Sequence, residues 1–515
     1  MSALATPAAK KHIVFLTYEA WGHARPLCVL AARMVKLHPV IVTFFTTHLN
    51  YTRVNAEMRR SFRPEEADLL SSIRVIALLG QMTGSLDTIN LDMQFAEVYQ
   101  KLVAQESVTC AHSNTQHEAL GRPTAVVIDF FCAKPCEAIR NADHAAKIYT
   151  WYSGSASSIL HPWGPEDMGG KGDSVAMVEA EMSRTGKPLA QVIDEMLFGV
   201  DGSIVRVPGL PPMYDHEYHP QIIPEVPGLR NVFLDIAKVF SKCDGVLMST
   251  AESYEPDSIA GVCKWFAETS RSAYTFGPLL PEEKGSISKE RDSSDKGIAI
   301  EEFLDTSLQT HGPKSLVYIS FGTFWWPPNP QKVWEFLDVI MDLKKPFIMS
   351  HASPLAVIPD AVRQKVEMYG LGLLSPWSPQ QTILAHPATA WFVTHGGHNG
   401  VIESISCGVP MICWPFIADQ PINAVHLSDN LQVAYELIEV RTGERGLNSI
   451  YRNGRVPKGT VEAVRDEARD VLVKAFGEDG RQKRANLERL QQAFAQAWQE
   501  GGSSRRAITD WLSFC

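Results

Sequence analysis

Twice along this chain, short uninterrupted apolar runs alternate with amphipathic helical stretches, and a polar segment separates the two series. An uninterrupted run of strand length suits a parallel strand covered on both faces, because a strand with one wet face would alternate apolar and polar residues. The first series opens with a strand at 12–18, makes a polar turn at 19–25, continues as a helix over 26–37 and returns as a strand at 40–45. That is a β-α-β unit, the element from which doubly wound sheets are built. Further strands are expected at 73–78, 125–128, 147–151 and 245–248, with helices that include 90–105 and 136–141. Between 162 and 207 the strand pattern lapses, and the segment reads as an excursion over the carboxyl edge of the sheet, closed by the proline-rich VPGLPP.

The separating segment, LPEEKGSISKERDSSDKG at 280–297, is charged, serine-rich and almost free of large apolar side chains. After it the alternation restarts, with strands at 315–320, 347–350, 371–374, 390–394 and 410–414. A chain of 515 residues is too long for one hydrophobic core, so two doubly wound α/β domains with a cleft between them are expected. The first spans 1–279, the linker 280–310 and the second domain 311–495. A last helix lies in 496–515, with Ile508, Trp511 and Leu512 on the side that packs against a domain surface.

Composition narrows the function. Apolar residues make up 45% and charged residues 21%, an ordinary globular balance, and the net charge of −10 opposes binding to a phosphate backbone. Nucleic acid is therefore excluded as a partner. No apolar run approaches the roughly 20 residues of a membrane helix, and the N-terminus lacks the shape of a signal peptide. The nine cysteines have no paired spacing, and Cys132 and Cys136 lack companion ligands for a metal. Reduced thiols in a cytoplasmic protein, with no metal site, are expected. GxxxxGK[ST] is absent, and WGHARP follows the first strand where a dinucleotide enzyme would carry G-x-G-x-x-G.

The densest chemistry lies at 377–423, WSPQQTILAHPATAWFVTHGGHNGVIESISCGVPMICWPFIADQPIN. A strand stops at His395, two glycines make the turn, and a helix begins near His398 with Glu403 about one turn inside it. Backbone N–H groups at such a helix start form a phosphate site. Asp419 and Gln420 open the next helix, where their side chains could meet sugar hydroxyls. In the other half, His23 follows the first strand and Asp129 the strand at 125–128, both on the functional edge of such a sheet.

The segment resembles the signature box of family 1 UDP-dependent glycosyltransferases. Trp377, Pro379, Gln380, His386, His395, Gly397, Asn399, Glu403, Gly408, Pro410, Trp414, Asp419, Gln420 and Asn423 all fall in register. GHARP, IDF, PGLPP, STAESYEP, FGPL and VYISFGT extend the likeness along the chain. It implies two facing Rossmann-like domains of the GT-B type, the first taking the acceptor and the second the UDP-sugar. The second domain's Trp377 would stack on uracil, worth roughly 1–3 kcal/mol, with Ser378 and Gln380 beside it. Glu403 would accept the ribose hydroxyls. His395, Asn399 and the backbone at Gly400 would hold the diphosphate, helped by Gly322 and Thr323, and Gly397 and His398 belong to the same donor-binding set. Asp419 and Gln420 would bond the sugar, glucose or xylose. The resemblance also makes His23 the base that activates an acceptor hydroxyl, with inversion at the sugar, and Asp129 its orienting partner. No cofactor is implied, since the UDP-sugar is a co-substrate, and a single chain suffices.

One departure stands out. Plant members have Trp-Asn-Ser where this chain has His398, Asn399 and Gly400, so their donor preferences do not transfer directly. Phe130, Phe131, Trp151, Tyr152 and Trp163 lie near strand ends; Phe130, Trp151 and Trp163 are the candidates to line a pocket for a small, largely apolar acceptor. His386 is expected to be structural, and Trp325 and Trp326 suit the cleft or the core equally. A UDP-sugar epimerase and a non-catalytic sugar-nucleotide scaffold are the competing readings, and acceptor-dependent turnover separates all three.

Overall fold

A computed structural model describes residues 10–79, 89–224, 228–281 and 295–515. Among them, seven strands make the first sheet: β1 (Lys11–Leu16), β2 (Val40–Thr47), β3 (Ile73–Leu78), β4 (Ala125–Asp129), β5 (Lys147–Tyr152), β6 (Gly245–Met248) and β7 (Ser272–Thr275). Their order is β7-β6-β5-β4-β1-β2-β3, every neighbouring pair parallel. Six more make the second sheet: β8 (Leu316–Ser320), β9 (Phe347–Ser350), β10 (Gly372–Ser375), β11 (Thr389–Thr394), β12 (Met411–Cys413) and β13 (Ala434–Glu436). That sheet is also parallel, in the order β10-β9-β8-β11-β12-β13.

The central strands are largely apolar because both their faces are covered. In β1, Ile13 and Phe15 join the core on one side of the sheet, Val14 and Leu16 the core on the other, and none has exposed surface. Each sheet winds outward from its first strand in one direction and then reverses. The reversal falls between β1 and β4 in the first sheet and between β8 and β11 in the second. Loops diverge at such a point and leave a crevice at the carboxyl edge. The two crevices face each other.

The helices that frame the cleft are α1 (Trp21–Leu37), α2 (Tyr51–Arg60), α4 (Gln380–Ala385), α5 (His398–Ser406) and α6 (Asp419–Val425); α3 (Asp295–His311) packs on the second sheet, and α7 (Glu478–Gln496) and α8 (Ser503–Phe514) follow. Two of them differ from expectation. Helix α1 starts at Trp21, so His23 and Arg25 sit in its opening turns and Pro26 lies inside it. A proline is tolerated early in a helix because the first N–H groups have no intrahelical acceptor. Pro26 falls just past that limit, and the carbonyl its missing N–H would have bonded is that of Gly22. That carbonyl instead accepts from Asn399 Nδ2 of the second domain at 2.6 Å.

The expected linker at 280–310 is also revised. Residues 282–294 lie outside the described residues, but α3 occupies the remainder, with Ile300 and Leu304 buried in the core of the second sheet. Elsewhere the domains are tied directly. Gln221 Nε2 donates to the carbonyls of Pro415 and Val440 at 3.3 and 3.1 Å, and Arg452 pairs with Glu217 at 3.3 Å. The last helix, α8, returns to the first domain, where Ile508, Trp511 and Leu512 are buried in the core beneath β1 and α1.

Candidate active site

On the first domain, β1 and β4 are neighbours, so the groups that follow them meet. His23 Nδ1 lies 2.9 Å from Asp129 Oδ2. Asp129 has no exposed surface, and its Oδ1 accepts the backbone N–H of Phe131 at 3.0 Å. A buried carboxylate beside Nδ1 fixes the proton there and leaves Nε2 as the basic nitrogen. Phe130 stacks on the imidazole at 5.0 Å with the rings 12° from parallel, and Phe131 and Tyr18 close other sides. Trp151 Nε1 donates to the His23 carbonyl at 3.1 Å. Its side chain has no exposed surface, so Trp151 supports the histidine from within the core and does not line a pocket. Trp163 is likewise buried against Tyr152 and Phe240, its Nε1 bonded to the Phe233 carbonyl at 3.0 Å. Of the three pocket candidates, only Phe130 touches the His23 ring.

On the second domain, the ends of β8, β11 and β12 converge. Gly322 and Thr323 follow β8, His395 follows β11, and α6 starts after β12. Gly397 caps α5, and a Cβ there would stand 2.5 Å from His395 Nε2, so only glycine fits. The first intrahelical bond of α5 runs from Val401 N to Gly397 O, which leaves the N–H groups of Asn399 and Gly400 ahead of the ladder. The preceding N–H, that of His398, donates to Asp419 Oδ2 at 2.8 Å, and Asn423 Nδ2 adds a bond at 3.1 Å. Loss of water raises the Asp419 carboxyl to about 6 despite these donors. The same loss lowers His395 to about 4 and His398 to about 3, so both rings are neutral at pH 7. Gln420 Oε1 accepts from the backbone of Phe416 and Ile417 at 2.9 and 3.3 Å and braces the turn into α6.

Glu403 faces the first domain. Its Oε1 accepts from Arg25 Nη1 at 2.9 Å and from Gln381 Nε2 at 2.8 Å, and its Oε2 from Gln380 Nε2 at 2.6 Å. Trp377, half-buried, ends the turn after β10, where Ser375 Oγ bonds its carbonyl, and the Ser378 hydroxyl beside it is buried. His386 bonds Asp305 and the Ala388 N–H, each at 3.2 Å, a structural role. Trp326 packs on Phe321 and Trp334 in the core, whereas Trp325 is half-buried beside Phe324. The residues that sequence reasoning passed over are Tyr18, Arg25, Arg60 and Gln381. Arg25 and Gln381 stand inside quoted motifs, yet no spacing reveals a partner in the other domain.

Two facing parallel sheets, one offering a helix start with glycine-framed donors and the other a histidine–aspartate pair, define a group transferase that uses a nucleotide-linked donor. The comparisons give the family. The model of the UDP-glucoronosyl and UDP-glucosyl transferase family matches residues 261–443. UDP-glycosyltransferase eriJ of Hericium erinaceus is 30% identical, the match covering 98% of each chain. A UGT transferase from Siraitia grosvenorii in complex with UDP superposes with a TM-score of 0.68 at 20% identity, over 98% of this chain and 99% of that one. Phytolacca americana UGT2, complexed with UDP-2fluoro-glucose and pterostilbene, gives 0.66 at 19% identity over the same shares. The chain belongs to the UDP-glycosyltransferase family and is an enzyme of GT-B fold. Among the described residues no helix is long and apolar enough to cross a membrane.

Proposed function

We propose that this enzyme moves glucose from UDP-glucose to a hydroxyl of a small, largely apolar metabolite, inverting the sugar carbon. The observation that carries this reading is the His23–Asp129 pair at 2.9 Å, tied to the donor side by the Asn399–Gly22 bond. The acceptor hydroxyl gives its proton to His23 Nε2 as its oxygen attacks the anomeric carbon. The bond from that carbon to the β-phosphate oxygen breaks, and UDP leaves with the electron pair. Asp129 holds the ring and stabilises the imidazolium. Because His395 is neutral, it serves the diphosphate as an N–H donor, and the positive field comes from the start of α5. That set of donors meets the leaving charge without a metal. Trp377 stacks on uracil, Glu403 takes the ribose, and Asp419 and Gln420 take the sugar. Xylose, which lacks only the hydroxymethyl group, meets the same contacts.

Relatives support the substrate classes: the Siraitia structure holds UDP, and the Phytolacca structure holds a fluorinated UDP-glucose with pterostilbene. Nine free cysteines suit the cytosol, and both halves of the site come from one chain, so a monomer is complete. The test is UDP release and product mass with UDP-glucose and UDP-xylose against terpenoid and phenolic alcohols. Glycosylated product formed only with acceptor present is the expected result. UDP binding without product on any acceptor would overturn it.

A further inference from the structure

The contact between Arg25 and Glu403 crosses the cleft at the position assigned to the donor's ribose, and it raises a problem of capacity. A carboxylate offers about four acceptor positions. At least three on Glu403 are taken, by Arg25, Gln380 and Gln381, and both side chains of the ion pair are largely enclosed, at 16% and 6% exposure. A ribose diol needs two. One present donor must therefore withdraw when the nucleotide binds.

The identity of that donor follows from where each is anchored. Gln380 and Gln381 stand on α4 of the same domain as Glu403, and Gln381 is further held by Arg60, whose Nη2 donates to its Oε1 at 3.0 Å. Arg25 comes from the opposite domain. It also has a second carboxylate waiting, since its Nε lies 3.3 Å from Glu57 Oε1. Leaving Glu403 does not strand its charge, whereas withdrawing a glutamine would break up α4's hold on Glu403. Glu57 keeps Arg60 as well, at 2.7 Å, so the Glu57–Arg60–Gln381 chain still bridges the domains after Arg25 has moved.

We propose that Arg25 is an affinity-setting residue for the donor: it competes with the ribose hydroxyls for Glu403 and must turn back to Glu57 before UDP-sugar can seat. This rests on the ribose role of Glu403 given above. It makes nucleotide affinity a difference between two bonds to one carboxylate, and it predicts that removing a positive charge from the nucleotide cleft strengthens binding of an anion.

The test is calorimetric titration of UDP and of 2′,3′-dideoxy-UDP, which lacks the diol, into the full chain and its variants. Arg25→Met keeps the aliphatic stem, and Arg25→Gln provides a second, polar replacement should the first fold poorly. Either should bind UDP roughly two- to fivefold more tightly, the scale of an ion pair that solvent still reaches, with the affinity for 2′,3′-dideoxy-UDP unchanged. Unchanged or weaker UDP binding, with Glu403→Ala still impairing it, overturns the competition and leaves the ribose role intact. An equal gain for both nucleotides also overturns it, because the diol would then play no part. If Glu403→Ala leaves the UDP dissociation constant unchanged, the ribose role fails and the competition with it.

Discussion

At the scale of single residues, the site divides by how each ionisable group is held. His23 is fixed by one buried carboxylate and one flat ring, so its replacement should remove chemistry and spare binding. His23→Ala is expected to cut transfer by about 10²–10⁴-fold with the UDP dissociation constant unchanged, as read by single-turnover assay and titration. Asp419 gives a different signature. Burial lifts its carboxyl to about 6, so it is ionised at pH 7 and gains a proton as pH falls through that value. A protonated carboxyl loses acceptor capacity toward a sugar hydroxyl, and the KM for the donor should climb between pH 7 and 5. Asp419→Asn should abolish that climb, and a KM that stays flat in the parent enzyme would contradict the assignment. Both residues were legible in the sequence, because each follows a strand that could be recognised. Trp151 was misread for the converse reason: an aromatic residue near a strand end looks the same whether it points to the cleft or, as here, under the histidine it supports.

At the scale of elements, α1 shows what a pattern cannot reveal. The sequence places the helix start at Pro26, yet the helix begins five residues earlier and absorbs the proline. Tertiary contact decides the matter, since the carbonyl that Pro26 leaves unbonded is satisfied by Asn399, distant by 377 residues in the chain. The coupling can be measured. Asn399→Ala should destabilise the fold by about 1–3 kcal/mol by stranding the Gly22 carbonyl. In a Pro26→Ala background the helix supplies its own N–H to that carbonyl, so the same change should cost about 1 kcal/mol less. Urea unfolding of the four proteins gives the cycle, and strict additivity would contradict the account. Eleven of the thirteen strands in the two sheets, by contrast, were readable to within two residues, because burial on both faces writes itself into composition; the edge strands β7 and β13, SAYT and AYE, are only partly covered and gave no such signal. Arg25, Arg60 and Gln381 were not, because their partners lie across the cleft, 378 residues away for Arg25 and Glu403.

At the scale of the whole molecule, acid is the revealing stress. His12, His161, His219, His395 and His398 are held by burial at about 4, 3, 4, 4 and 3. The unfolded chain takes up those protons near pH 6.5, so the folded state keeps its full advantage above that pH and loses it as pH falls toward 4. Asp419 acts in the opposite sense, its cost present above about 6 and relieved below, and Glu467, also raised by burial, acts with it, but they are two groups against five. The melting temperature should therefore fall steadily from pH 6.5 to 4, and a level profile by calorimetry would contradict the histidine account. The return of α8 to the first domain is tested as directly. Trp511 has no exposed surface, and Trp511→Ala should cost about 3–5 kcal/mol in chemical denaturation. That return also orders events in time. A ribosome releases the chain from its N-terminus, at about 5–20 residues per second, and finishes the last strand of the first sheet, β7, at Thr275. The core beneath β1 then lacks Ile508, Trp511 and Leu512 until the final helix is made. Through the synthesis of the whole second domain the first one waits with an open apolar seam. The first half of this enzyme is sealed only after its second half has been made.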